Sequence, residues 1–194
     1  MSNYSNVLED TIFPSFIISC VPDVDLEELK KESYNIKNKH PSKNVSNQGG
    51  YQSPAFKDDE IEESEFKKLN QIIVKFCQDI VKNKNLTIKF KKSSWWININ
   101  KSHHYNVIHS HGPTDLIGVF YITLPQNSGN LTLVRKDGME YTNLYKNNEH
   151  NMMQVDFGAQ PGRLYIIPGS IWHYVTSGEN NDDRISVSYN INFE

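Results

Sequence analysis

The sequence predicts a mainly β protein, a sandwich or jelly roll of short strands with helices packed outside. Three observations carry that expectation. Apolar residues recur at three- and four-residue steps before residue 85 and at two-residue steps from Leu86 onward. The second half breaks into many short apolar runs closed by turns such as Pro168-Gly169. No internal repeat and no Pro- or Ser-rich linker divides the chain. The 194 residues therefore read as a single domain, 1–194, with a helical preface over 1–85 packing on the sheet and a jelly-roll core over 86–194.

In the preface, Asp25-Leu-Glu-Glu-Leu-Lys-Lys-Glu reads as a short helix, with acids in its first turn and lysines later. A longer helix is expected from about Asp58 to Lys82, where Phe66, Leu69, Ile73, Phe76 and Ile80 form one buried stripe. The acidic run Asp58 to Glu65 supplies its first turns and exposed face. Between the two, His40 to Gly50 is polar and glycine-containing and reads as a mobile loop. The strands follow. Thr87-Ile-Lys-Phe-Lys and Trp96-Ile-Asn-Ile-Asn alternate, Leu116 to Leu124 is almost continuously apolar, and Leu131-Thr-Leu-Val and Arg163-Leu-Tyr-Ile-Ile are shorter runs. In the last strand Ile185, Val187, Tyr189, Ile191 and Phe193 face one way, and Arg184, Ser186, Ser188, Asn190 and Asn192 the other. Lys136 to Met153 is the least regular stretch, an extended hairpin or a lid over a site.

Composition excludes several classes. Lys plus Arg is 20 and Asp plus Glu is 23, so the net charge of −3 is too near neutral for a nucleic-acid binder resting on phosphate neutralisation. With 37% hydrophobic and 22% charged residues the chain is not globally disordered, and its core leans on ten Tyr, nine Phe and three Trp. The N-terminus lacks a basic region followed by an apolar stretch. The longest apolar runs, Phe16 to Val21 and Leu116 to Leu124, fall far short of a membrane span. Cys20 and Cys77 lie far apart in sequence, without a CxxC partner, so neither a disulfide framework nor a zinc finger is expected. A soluble cytoplasmic protein in a reducing compartment follows, with no membrane partner.

Three features point to chemistry. In His109-Ser110-His111, residues two apart on an extended chain project to one face, so both imidazoles can reach one metal ion. His173 follows the turn Pro168-Gly169-Ser170-Ile171-Trp172, where a strand end can deliver a third nitrogen. Arg184 and Ser186 come eleven residues past His173, on one strand face, and suit a carboxylate: a bidentate fork plus a hydroxyl. Each feature alone has a plainer reading as exposed histidines, a satisfied sheet-edge histidine or a solvated strand face. Those readings do not account for the order in which the features occur.

From about Trp96 to Asn192 the sequence resembles the 2-oxoglutarate- and Fe(II)-dependent oxygenases of the prolyl-4-hydroxylase-like type, most of all the short members of phage and marine bacterial genomes. The resemblance rests on Trp96-Ile-Asn-Ile-Asn, Tyr105-Asn-Val-Ile-His-Ser-His-Gly-Pro, Leu116-Ile-Gly-Val-Phe-Tyr-Ile, Pro125 with Ser128-Gly129, Pro168 to His173, and Arg184-Ile-Ser-Val-Ser-Tyr-Asn. It implies a double-stranded β-helix, a cupin-like jelly roll with iron in its mouth. His109 would be the first ligand and His173 the last. Arg184 would bind the distal carboxylate of 2-oxoglutarate with Ser186 assisting, Tyr121 would touch the cosubstrate, and Asn98 or Asn100 would reach the same pocket. Most of the superfamily reads His-x-Asp where this chain has His111, but the short phage-type members often read His-x-His. Three neutral imidazoles leave Fe(II) its full charge, which the 2-oxoglutarate dianion can offset. Asp115 is the alternative second ligand. His111 is too large to leave a halide vacancy, which disfavours halogenation.

The implied activity uses Fe(II), 2-oxoglutarate and O2 to hydroxylate an unactivated C–H bond, releasing succinate and CO2. A prolyl or other peptidyl side chain leads as substrate, followed by a free amino acid or other small molecule. Near-neutral charge argues against nucleobase demethylation. For a phage-encoded enzyme the site of action would be the host cytoplasm. Two rivals remain. A cupin metalloenzyme would use His109, His111, Asp115 and His173, would need no 2-oxoglutarate, and would leave Arg184 and Ser186 without a role. A non-enzymatic jelly-roll binding protein would use Trp95, Trp96 and Trp172 as a groove and need no metal. His103 and His104 read as a solvated turn pair, and His150 falls in the lid segment.

Overall fold

The computed structural model describes residues 15–57, 63–135 and 154–194. The 136–153 segment with His150, and the acidic stretch over 58–62, lie outside the described residues. Helix α1 (Leu26–Lys39) opens at Asp25, whose carboxylate accepts the Glu27 and Glu28 amides, and ends at His40 just before Pro41. It outruns the expected short helix because Ser33 donates to Leu29 O at 2.7 Å, so the buried serine satisfies itself and the apolar face resumes at Ile36. Helix α2 (Glu65–Asn83) begins at its cap Ser64, not at Asp58, because Ser64 is extended and its hydroxyl accepts the Lys67 amide. The buried stripe is Phe66, Leu69, Ile73, Cys77 and Ile80, with Phe76 half-buried and packed against the same core. The Glu32 carboxylate of α1 accepts the Glu65 and Phe66 amides at 3.1 and 3.2 Å, which fixes one helix against the start of the other.

Among the described residues the strands form two antiparallel sheets. The larger holds β1 (Ile18–Cys20), β3 (Tyr51–Gln52), β4 (Phe56–Lys57), β5 (Phe90–Asn100), β7 (Leu116–Thr123), β10 (Leu164–Pro168) and β12 (Arg184–Phe193). The smaller holds β2 (Asn47–Gln48), β6 (Tyr105–His109), β8 (Leu131–Val134), β9 (Gln154–Phe157) and β11 (Trp172–Val175). From β5 onward the chain keeps crossing between them, which is the double-stranded β-helix. His40 to Gly50 is not wholly a loop, since β2 pairs with β6 and both Ser46 and Asn47 are buried. Residues 87–89 precede β5 rather than form a strand of their own.

The alternation along β12 sorts its residues as the sequence predicts. Ile185, Val187, Tyr189 and Ile191 join Trp95, Ile97 and Ile99 of β5 in the core, which α1 and α2 cover through Leu29, Leu69 and Ile73. Trp95 stacks on Phe66 of α2 with ring centroids 4.9 Å apart. On the opposite face of the large sheet, Arg184, Ser186 and Ser188 of β12 and Ile117, Val119 and Tyr121 of β7 line a pocket together with Leu131, His173 and Val175 of the small sheet. None of the described helices is long and apolar enough to cross a membrane. Both cysteines are free, and burial pushes the Cys77 thiol up to about 12.

Candidate active site

One wall of the pocket is written by strand register. Opposite Arg184, Ser186, Ser188 and Asn190 of β12 stand Asn100, Asn98, Trp96 and Ser94 of β5, and Tyr121 of β7 stands opposite Ser186. The facing wall belongs to the small sheet, where His173 of β11 is the register partner of His109 of β6. His111 lies two residues beyond β6 and is held by its own amide, which donates to Gly169 O at 3.1 Å.

His109 reaches the pocket through a β-bulge. The β11–β6 register runs from His173↔His109 to Val175↔Asn106, so one extra residue sits on β6. Val107 and Ile108, 40% and 49% exposed, both point outward, while Asn106 and His109 both line the pocket. Strict alternation from the buried Asn106 would have sent His109 out to solvent. The bulge also turns the Val107 carbonyl toward the His109 ring.

The three histidines come together. One ligand atom from each of His109, His111 and His173 lies within 4.8 Å of the others. In each ring Nδ1 is already engaged: His109 with Val107 O at 2.7 Å, His173 with Ile171 O at 3.0 Å, His111 with Asn190 Oδ1 at 2.5 Å. Nδ1 therefore carries the proton and Nε2 keeps its lone pair, as metal-ligating imidazoles require. Burial pushes His173 down to about 4 and also lowers His111, against the opposing effect of their hydrogen bonds, so both are neutral donors at pH 7. The donor set fits a divalent metal that accepts imidazole nitrogen. Asp115 is not part of it, since its carboxylate accepts the Phe193 amide at 2.8 Å, at the end of β12.

Across the pocket, Arg184 is 3% exposed and pairs with no carboxylate among the described residues. Its Nη2 donates to the Tyr121 hydroxyl at 3.3 Å, its guanidinium carbon lies 5.0 Å from that ring's centroid, and its Nε has no partner. A buried guanidinium without a counter-charge is costly, so this end of the pocket is built for an anion. Because Tyr121 accepts from Arg184, its own proton is available to such an anion. Burial raises the Tyr121 pKa, with Arg184 opposing, which keeps that proton in place. Ser186 is buried beside both.

The two asparagines separate. Asn98 lines the pocket and donates to Ser188 Oγ at 3.1 Å. Asn100 sits behind it, donating to Asn106 Oδ1 at 3.2 Å, and Asn106 in turn donates to Ser46 Oγ at 3.1 Å. Trp96 lines the pocket and stacks on His111, with centroids 5.6 Å apart, whereas Trp95 is in the core on the other face. These two tryptophans therefore do not share a groove. His104 closes its turn by accepting the Lys101 amide, and His40 packs edge-on to Phe56, both apart from the pocket.

Ser46, Asn106 and Asn190 are pocket or supporting residues that sequence reasoning did not single out. Only Asn190 carried a signal, its place on the Arg184 face of the last strand.

The turn that carries His111 depends on a glycine. A Cβ on Gly169 would lie 2.0 Å from the Thr114 carbonyl oxygen, and Gly169 also accepts from His111 N and donates to Asp115 O. Gly169→Ala is therefore expected to cost about 1–3 kcal/mol of stability, because a backbone atom must move. It should also weaken metal binding by shifting His111. Thermal melting and metal titration of the same variant check both effects.

Comparison with known proteins agrees with this geometry. A family model described as "Putative 2OG-Fe(II) oxygenase" matches residues 94–190. A prolyl-4-hydroxylase from Pseudomonas putida is similar over 90% of this chain and 91% of its own, at 13% identity and a TM-score of 0.60. A prolyl hydroxylase from Trichoplax adhaerens, solved with a hypoxia inducible factor peptide fragment, covers 90% and 82% at 10% identity and TM-score 0.62. A non-heme alpha-ketoglutarate-dependent carbocyclase from nogalamycin biosynthesis covers 90% and 78% at 8% identity and TM-score 0.59. No curated protein matches the sequence.

Proposed function

The chain belongs to the 2OG-Fe(II) oxygenase family, and from that premise we propose that it hydroxylates an unactivated C–H bond of a peptidyl side chain, prolyl first among them. The observation that carries the assignment of the pocket is Arg184, a buried guanidinium with no carboxylate partner among the described residues, in the same cavity as three inward-facing imidazoles. His109, His111 and His173 would hold Fe(II) through their Nε2 atoms. Arg184, Ser186 and the Tyr121 hydroxyl take the distal carboxylate of 2-oxoglutarate. Asn98 is the amide beside the cosubstrate, and Asn100 supports the wall from behind. Bound iron supplies the chemistry by which O2 converts 2-oxoglutarate to succinate and CO2 while oxidising the substrate.

The chain's own part is placement and exclusion of water. Ile117, Val119, Leu131 and Val175 give the pocket shared by the histidines and Arg184 its apolar lining. A cupin chemistry without 2-oxoglutarate would leave the Arg184 charge uncompensated, and Asp115 is committed to a backbone amide. The two prolyl hydroxylases support a peptidyl substrate, one of them holding a peptide. The carbocyclase makes a small-molecule substrate the second reading. Free thiols at Cys20 and Cys77 fit a reducing cytoplasm.

The test is turnover with Fe(II), 2-oxoglutarate and O2 against proline-containing peptides and free amino acids. Succinate release matched by a mass gain of one oxygen on a peptide is the expected result. Mass gain confined to free amino acids would overturn the peptidyl reading.

A further inference from the structure

The three imidazoles are not fixed alike. His109 and His173 each turn Nδ1 to a carbonyl two residues earlier in their own strand or turn, so each carries local support. His111 bonds instead to Asn190, 79 residues away on the large sheet. Asn190 is itself clamped between two ladders, opposite Ser94 on β5 and Ile117 on β7. Trp96 stacks on the His111 ring.

We propose that Asn190 is a positioning residue for the metal centre, an inference that rests on the three-histidine reading above. Its carboxamide oxygen accepts the Nδ1 proton of His111. That bond selects the tautomer with a free Nε2 lone pair and holds the ring toward His109 and His173. One face of β12 then serves both halves of the site, with Arg184 and Ser186 toward the cosubstrate and Asn190 toward the second ligand. The amide orients His111 without adding charge. None of the described residues lining the pocket is acidic, and the 2-oxoglutarate dianion would offset the metal's charge.

The experiment is an anaerobic Co(II) titration of the metal-free full chain, read by ligand-field absorption in competition with a chelator. Asn190→Ala is expected to weaken Co(II) binding about 10- to 100-fold, the usual effect of losing such a support. Its metal-free melting temperature should match the wild type. Asn190→Asp keeps an acceptor at the same reach and is expected to bind at least as tightly as wild type. A purely structural asparagine would not give that rescue. If Asn190→Ala fails to fold, Asn190→Ser, polar but one bond too short, takes its place with the same expected loss. Wild-type affinity in the Ala or Ser variant, or equal loss in the Asp variant, overturns the proposal. A wild type that binds no Co(II) removes the three-histidine reading itself, and this inference with it.

Discussion

Arg184→Met is expected to weaken 2-oxoglutarate binding by about two orders of magnitude or more while leaving metal binding in place. Truncating one partner of a buried, hydrogen-bonded charge pair costs about 2–5 kcal/mol, and each ~1.4 kcal/mol is a factor of ten. The same substitution should leave the unliganded protein as stable as before, or more so. Arg184 is 3% exposed with no carboxylate partner among the described residues, so methionine removes a costly buried charge and keeps most of the volume. Loss of ligand affinity together with equal or higher melting temperature marks a residue kept for an anion. Calorimetric titration of the metal-loaded variant with 2-oxoglutarate, alongside thermal melting, checks both. A fall in melting temperature with unchanged 2-oxoglutarate affinity would make Arg184 structural.

His173→Ala produces the complementary loss. A structural zinc site with four protein ligands contributes about 10–16 kcal/mol, roughly 3 kcal/mol per ligand. Removing one of three imidazoles should therefore weaken metal binding by about two orders of magnitude, and succinate release should cease. The ring is buried and its Nδ1 is engaged with Ile171 O, so alanine leaves a small polar cavity between two strands rather than disrupting a ladder. Far-ultraviolet circular dichroism should stay unchanged. Metal analysis after gel filtration reads the effect, and stoichiometric metal in the variant would exclude His173 as a ligand.

The last strand was the most legible part of the chain. Its two-residue period separates Ile185, Val187, Tyr189 and Ile191 from Arg184, Ser186, Ser188 and Asn190; the structure puts the first set in the core, lines the pocket with Arg184, Ser186 and Ser188, and sets Asn190 against the His111 ring. The histidines were legible as a set but not as geometry. Spacing suggests that His109 and His111 share a face because they are two apart on an extended chain. In the structure His109 is re-aimed by a bulge and His111 lies past the strand end, supported from β12. Nothing in Val107-Ile108 marks the bulge, since neither residue is glycine or proline. It follows from pairing with β11, a contact distant in sequence.

The same cause hid β2 and Ser46. Two residues form a strand only because β6 offers an edge, and no periodicity can develop over so short a run. The helices erred in the opposite direction. Local composition set the end of α1 too early because it ignored how the buried Ser33 pays its own hydrogen bond, and set the start of α2 too early because acids before Ser64 look like a first turn. Family resemblance assigned roles that spacing alone left open, and the pocket brings His109, His111, His173, Arg184, Ser186, Tyr121 and Asn98 to one cavity while leaving Asn100 behind it.

The most direct measurement is an anaerobic titration of the Fe(II)-loaded protein with 2-oxoglutarate, followed by visible absorption. With 2-oxoglutarate anchored by Arg184, a visible metal-to-ligand charge-transfer band is the expected result, saturating at one 2-oxoglutarate per iron. The Arg184→Met protein should require far more 2-oxoglutarate to develop it. Iron that binds stoichiometrically without any band would contradict the assignment of this pocket to 2-oxoglutarate.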